Sequence, residues 1–334
     1  MHIVDTHATP FQTYEDREIK PDVTLYQDRF QPATAGGSPA PAIDRVAIMA
    51  EFKFRVGDDP FDDTQPGFER TEAQGQDTLG QICSYATAQM AGQFRTHLFS
   101  LLIFPNYARI LRWDRAGVIV TEKIDLLENS SFLAEFLWRY DHMTTVQQGF
   151  DEHVQPIDLT YVEQTVPDAR EKLDVDEDSP LFSIRFPNDT FVITTPTYMG
   201  AASPTGRSTR SFKALHMQTG NIVFLKDTWQ VVSPGLIPEH AVYNKLADKN
   251  VPHVATVLAY QDLPGHVTRT ADYENAPWVR VTGTGRFRKF QHYRLVLREV
   301  ANPIQSFRNT KELVQVFRDT LKGKRLSSAF CSHS

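Results

Sequence analysis

Cysteine is scarce in this chain. Among 334 residues only Cys83 and Cys331 occur, too few for a disulfide framework. Long apolar runs are missing as well, and no stretch approaches the roughly 18 residues that a membrane span requires. The start, MHIVDTHATPF, has no basic region followed by an apolar core, so it does not read as a secretory signal. These absences make an intracellular protein the expectation, with nothing to separate cytoplasm from nucleus. No excess of basic charge exists either. The 35 Lys and Arg stand against 41 Asp and Glu, and a formal charge of −6 gives no general attraction for nucleic acid or anionic membrane. His240 and His253 have no Cys or second His at metal-ligand spacing. No Gly-x-Ser-x-Gly turn supports a serine hydrolase.

What is present reads as ordinary soluble globular protein, with 41% hydrophobic and 23% charged residues. The length gives room for about two domains, each able to bury its own core. The expected fold class is α+β. Residues 1–143 read as a mixed sheet with flanking helices, with strands at Asp22–Tyr26, Arg45–Phe54, Leu101–Phe104, Arg109–Trp113 and Val118–Thr121. Helical spacing runs from Thr78 to Gln93 through Leu79, Ile82, Ala86 and Met90, and again from Ser131 to Tyr140. Residues 57–77 are polar and acidic and read as a mobile loop. Residues 144–180 lose the periodicity, carry the acidic cluster Asp174, Asp176, Glu177 and Asp178, and read as a linker. Residues 181–322 follow as a second domain, and 323–334 as a polar tail.

In that second part the strongest chemical signal lies between Gly220 and Leu246, GNIVFLKDTWQVVSPGLIPEHAVYNKL. Ile222–Leu225 read as a buried strand that ends on Lys226 at the rim of a sheet. After a loop broken by Pro234, Gly235 and Pro238, Glu239 opens a helix with Val242, Tyr243 and Leu246 on one side. A strand lysine followed by a helix glutamate is the arrangement that holds nucleotide phosphates in protein kinases. Taken alone, the pair is equally a half-buried lysine and a glutamate that suits the positive end of a helix dipole.

The surrounding words extend the match. GAASPTGRSTR from Gly200 to Arg210, then FLKDTWQ, PEHAVYNKL and VPHVAT, resemble the fungal-type protein kinase family, as do RILRWDRAGVIVT at Arg109–Thr121 and FLAEFLWRYDHM at Phe132–Met143. The resemblance runs from about Pro21 to Leu321. It implies a kinase small lobe with Lys226 and Glu239 in the lysine and glutamate roles, Gly200 and Gly206 in the phosphate loop, ATP and Mg²⁺ as cofactors, and a protein as substrate. It further implies a hinge at Arg298–Ala301 and, in Thr310–Leu321, the first helix of the large lobe.

That pattern has departures. Kinases show G-x-G-x-x-G, whereas five residues separate Gly200 from Gly206. No HRD-like loop and no DFG-like motif follow the lysine strand. The expectation is therefore a truncated, catalytically inactive family member with weak or no nucleotide binding. The helix residues Leu313, Phe317 and Leu321, four apart, would present an apolar face to the absent lobe and favour self-association.

A different constellation occupies the first part. Pro21-Asp22 precedes one strand, Glu51-Phe52-Lys53 ends the next, and Gln81 and Tyr85 share one helix face. This resembles the PD-(D/E)XK restriction-endonuclease-like fold with the Gln-x-x-x-Tyr helix of its RecB-like branch. Asp22 and Glu51 would hold Mg²⁺ through oxygen ligands, and Lys53 would orient a metal-bound water toward a phosphodiester. Strand alternation puts Glu51 and Lys53 on one side. The alternatives to a kinase are thus a Mg²⁺-dependent nuclease or nucleic-acid-binding module here, or a non-catalytic interaction protein. The basic and aromatic stretch Thr282–Phe290 is a second candidate for nucleic acid.

Overall fold

The computed structural model describes the chain except residues 9–10, 15–16, 28–33, 36–37, 40–42, 178, 197, 200–202, 281–286 and 332–334. Of residues 12–14, 17–18, 34–35, 38–39, 198–199 and 324–331 it describes the backbone alone. Gly200 and most of the Thr282–Phe290 stretch lie outside the described residues. The fold is mixed α and β, with a seven-stranded sheet, an eight-stranded sheet and six α-helices among the described residues.

In the first sheet the strands lie in the order His2–Asp5, Val23–Tyr26, Val46–Phe52, His97–Ile103, Tyr107–Asp114 and Gly117–Val120, with Ile124–Asp125 also beside Tyr107–Asp114. All neighbours are antiparallel except Val46–Phe52 and His97–Ile103. A parallel pair needs a crossover, and helix α1 (Ala73–Gly92) supplies it. The sheet is covered on both faces. On one, Ile82, Ala86 and Met90 of α1 pack with Leu98, Leu102 and Trp113, and Tyr85 and Ala88 pack with Val46 and Met49. On the other, helix α2 (Ser130–His142) sets Leu133, Phe136 and Tyr140 against Ile48, Ala50 and Leu101. A central strand covered on both faces reads as a continuous apolar run, as Val46–Ala50 does.

The acidic segment after this strand is not loose. Asp59 and Arg109 are both fully buried and paired at 3.0 Å, and Arg109 also reaches Asp63 at 3.0 Å. Arg109 thereby ties residues 59–63 to the sheet, where charge composition alone gave a mobile loop. Residues 144–180 also hold more order than their pattern gives. Val154–Pro156 pairs with Phe182–Arg185, and the short helices α3 (Leu159–Thr165) and α4 (Ala169–Leu173) bury Val162, Val166, Ala169 and Leu173 against Val192 and Leu215. Helices of seven and five residues are too short to show a helical period.

In the second sheet Val154–Pro156 and Phe182–Arg185 lead to five strands in the order Thr190–Ile193, Arg210–His216, Ile222–Val231, Phe290–Leu297 and Val257–Val267; Tyr198–Met199 also pairs with Arg210–His216. Helix α5 (Glu239–Asp248) lies between the third of these in sequence and the next. Helix α6 (Thr310–Cys331) comes last. The sheets are stitched together by the turn after Tyr107–Asp114. Asp114 Oδ2 accepts from the backbone N–H of Arg269 at 2.7 Å and of Thr270 at 3.0 Å. Arg115 donates to Pro204 O at 3.1 Å.

Candidate functional site

Lys226 is the fifth residue of a ten-residue strand, paired with Ser211 on one side and Leu295 on the other. The apolar run Ile222–Leu225 suggested a strand ending at the lysine. Instead the strand continues through Val231, because Thr228, Trp229 and Val231 suit a sheet and every residue there finds a partner in Phe290–Leu297. Lys226 is therefore central rather than at the rim. Its Nζ donates to both carboxylate oxygens of Glu239, at 2.8 and 2.6 Å. Glu239 is the first residue of α5, after Pro238 at the cap position, where proline and an acidic side chain both fit a helix start.

The helix is fixed by one buried phenol. Tyr293 Oη accepts from the His240 backbone N–H at 3.1 Å and lies 3.0 Å from His240 Nδ1. His240 also stacks on Tyr260, with ring centroids 3.5 Å apart. Burial pushes the Tyr293 hydroxyl up and the His240 imidazole down from their ordinary values. Both groups therefore stay neutral at neutral pH, and the charges of this corner are those of Lys226, Glu239 and the nearby Asp262.

The glycine loop takes another direction. Gly206 has φ of +93°, which favours glycine, and its N–H donates to Arg115 O at 2.8 Å. This amide is committed to the first sheet. Beside it a cleft of about 430 Å³ is lined by Cys83, Ser84 and Thr87 of α1 and by Ser203, Pro204 and Thr205. Burial pushes the Cys83 thiol up to about 11, which leaves it protonated and a poor nucleophile.

On the opposite face of the lysine strand lies a buried ionic cluster that sequence reading missed. Asp227 accepts from Arg210 at 2.6 Å, from Arg294 Nε at 3.2 Å, and lies 2.5 Å from His292 Nε2. Arg294 also donates to Asp151, and His292 Nδ1 lies 3.2 Å from His266 Nδ1. Burial alone would raise the Asp227 carboxyl, but His292, Arg294 and Arg210 together hold it well below the ordinary carboxylate range. Arg294 is a single charge in the apolar run Tyr293–Leu297, and nothing in the sequence said which residues would meet it.

In the first sheet the structure brings all five singled-out residues together. Lys53 Nζ donates to Glu51 Oε1 at 2.6 Å and to Gln81 Oε1 at 2.8 Å. Gln81 Nε2 donates to Tyr85 Oη at 2.7 Å, and Tyr85 donates to Lys20 O at 2.6 Å. Asp22 Oδ2 accepts from the Phe52 N–H at 2.8 Å. Glu51 is 4% exposed, and its Oε2 makes no hydrogen bond among the described residues. Burial pushes the Glu51 carboxyl up. The Lys53 hydrogen bond and charge oppose this, and the nearby Asp22 adds to it.

The family model described as fungal protein kinase matches residues 68–328. The chain belongs to the fungal protein kinase family. No curated protein and no solved structure matches it. The matched span includes α1, the second sheet, Lys226 and Glu239, and begins after Asp22, Glu51 and Lys53. A kinase family uses ATP and Mg²⁺ in general, with proteins as substrates. Lys226, oriented by Glu239, fits a phosphate contact. The metal roles find no fit, because they fall to a DFG aspartate and a catalytic-loop asparagine. Residues 1–334 contain neither motif, and the buried Asp227 is already matched by two guanidinium groups and a histidine. No helix among the described residues is long and apolar enough to cross a membrane.

Proposed function

We propose that residues 181–322 form the small lobe, hinge and first large-lobe helix of a fungal-family protein kinase, with residues 1–143 a separate α/β domain and 144–180 the connection. The observation that carries this is the two-oxygen grip of Glu239 on Lys226 between strand and helix. In this reading Lys226 contacts the nucleotide phosphates and Glu239 orients it. No phosphoryl transfer is ascribed to residues 1–334, since the base and metal-binding roles have no candidates in them. With the Gly206 amide turned to Arg115, nucleotide contact rests on Lys226, and affinity near or weaker than about millimolar, roughly 4 kcal/mol, is expected. The test is acylation of Lys226 by a lysine-reactive probe with and without ATP. Protection that rises toward roughly tens of millimolar ATP and is weakened in Glu239→Gln supports the reading; equal labelling up to that concentration overturns it. Labelled phosphate incorporation that disappears in Lys226→Met would overturn the inactivity.

The orphaned Glu51 oxygen favours a second reading. In it the first sheet is restriction-endonuclease-like, Asp22 and Glu51 hold a divalent cation, Lys53 orients a bound water, and Gln81 and Tyr85 position Lys53. Asp22, Glu51 and Lys53 lie before the family match and Gln81 and Tyr85 within it, and this reading stands or falls separately. Metal-dependent cleavage of DNA or RNA, lost in Lys53→Ala, supports it. Absence of both cleavage and Mn²⁺ binding sinks it.

A further inference from the structure

The buried cluster behind Lys226 contains a set of side chains that neither reading uses. Asp151, His153 and His266 each bring one donor atom to within 4.8 Å of the others. Asp151 and His266 are buried, and His153 is half-buried, so the group opens to solvent on one side. Asp151 and His153 belong to the segment that leaves the first sheet, and His266 to the long strand Val257–Val267.

We infer that Asp151, His153 and His266 form a binding site for a divalent transition cation of the zinc class. Two imidazoles and a carboxylate are a zinc donor set, and the open side admits a water as fourth ligand. Donors about 2.1 Å from a zinc ion sit closer together than the present spread, so the 151–153 turn closes by about an ångström on binding.

The hydrogen-bond chain behind the site supplies the right tautomer. His292 Nε2 lies 2.5 Å from Asp227 Oδ1, and its Nδ1 lies 3.2 Å from His266 Nδ1. With His292 neutral and donating from Nε2 to the carboxylate, its Nδ1 accepts a hydrogen bond from the His266 Nδ1–H. His266 is then neutral, with a lone pair on Nε2. A ligand histidine whose other N–H is held by a fixed acceptor is the usual outer arrangement of such sites. Asp151 keeps one oxygen on Arg294, while its Oδ1 accepts from the His153 N–H at 2.9 Å. The two carboxylates of the cluster already match Arg210 and Arg294, so the added charge is uncompensated and micromolar affinity is expected rather than nanomolar.

The metal would staple the connecting segment to the second sheet and stabilise the fold by mass action. The test uses tag-free chain stripped with chelator and titrated with Zn²⁺ by calorimetry and with Co²⁺ by visible absorption. About one equivalent per chain is expected, with the d–d bands of low-coordinate cobalt and a raised melting temperature. His153→Ala is the informative variant because it leaves the Asp151–Arg294 pair in place and should fold. It and His266→Ala should each weaken binding at least about tenfold. Cys83→Ser should leave the affinity unchanged. Absence of saturable Zn²⁺ or Co²⁺ binding up to about 100 μM, or binding unaltered in His153→Ala, overturns the inference.

Discussion

Two lysine–glutamate pairs, each closed at 2.6 Å, sit in the two sheets and differ in what they leave over. Glu239 gives both oxygens to Lys226, spans from helix to strand, and keeps about a quarter of its side chain exposed. Glu51 gives one oxygen to Lys53 within a single stretch of chain, and its other oxygen is buried without a partner. The first pair is a finished positioning device, with its charges matched and reachable from solvent. The second leaves a buried carboxylate oxygen without a hydrogen-bond partner among the described residues, costly to hold as it stands. A completed pair orients something brought from outside, whereas an orphaned carboxylate oxygen asks for a proton or a cation.

The largest effect should come from behind Lys226. Asp227→Asn leaves Arg294 and Arg210 buried with their common partner weakened. Loss of one member of a buried ion cluster costs about 3–5 kcal/mol. Urea unfolding should show this loss, while Glu239→Gln, on the helix that pairs with Lys226 on the other face of that strand, should cost no more than about 1 kcal/mol. Equal costs would mean that the two faces of the strand are not distinguished by burial.

Acid separates the regions next. Burial, with the charge of Arg112, pushes the His97 imidazole in the first sheet down to about 4. The unfolded chain therefore binds the proton first, so stability present at pH 7 falls as pH drops from about 6.5 toward 4. His266 has the same direction in the second sheet, so His97→Gln isolates the first sheet's share. Asp227, depressed by its cations, loses its contribution only below the ordinary carboxylate value of 3.8. Melting temperatures across pH 7 to 3 should show a shallow loss, reduced in His97→Gln, before a steep one. A flat profile down to pH 4 would contradict the neutral, buried imidazoles.

A smaller effect contrasts the two glutamates directly. Glu51→Gln removes a buried charge whose raised pKa already penalises it at neutral pH, at the cost of one bond to Lys53. The two changes oppose, and stability should move by less than about 1 kcal/mol while any Mn²⁺ binding disappears. Glu239→Gln should leave Mn²⁺ binding intact and weaken ATP protection of Lys226. The reverse assignment of effects would undo the comparison.

How much of this was legible depended on range. The strands around Asp22 and Glu51, the α1 period and the Lys226–Glu239 order were local, and local patterns survive in sequence. Lys226 was misplaced at a strand end because the apolar run Ile222–Leu225 stops before it and the charged Asp227 follows. It is instead a buried anion whose partners Arg210, His292 and Arg294 lie 17 to 67 residues away. Asp59 failed the same way, its partner Arg109 being 50 residues distant. Charged residues in these segments read as solvent-facing until their partners are known, and pairing across a fold leaves no periodic trace. Asp151, His153 and His266 met in space for the same reason, without any motif spacing.

The least disruptive test concerns what each sheet leaves uncovered. The first has α1 on one face and α2 on the other. Over Lys226 the second sheet has, among the described residues, α5, none of whose residues is buried, and α6 beyond it. On α6, Phe317 is 54% exposed and Leu321 64%, with Val314 at 66% on the adjoining turn, whereas Leu313 is half-buried. Fully burying side chains of this size is worth roughly 1.5–3 kcal/mol each, so a second copy gains by covering them. Self-association through this face is expected at tens of micromolar, and Phe317→Glu with Leu321→Glu should abolish it while leaving the melting temperature unchanged, because neither side chain is part of a buried core. Light scattering decides. A stable monomer before substitution means that these side chains are exposed without consequence. A lowered melting temperature in the double variant means instead that α6 packs on the chain more closely than its exposure indicates.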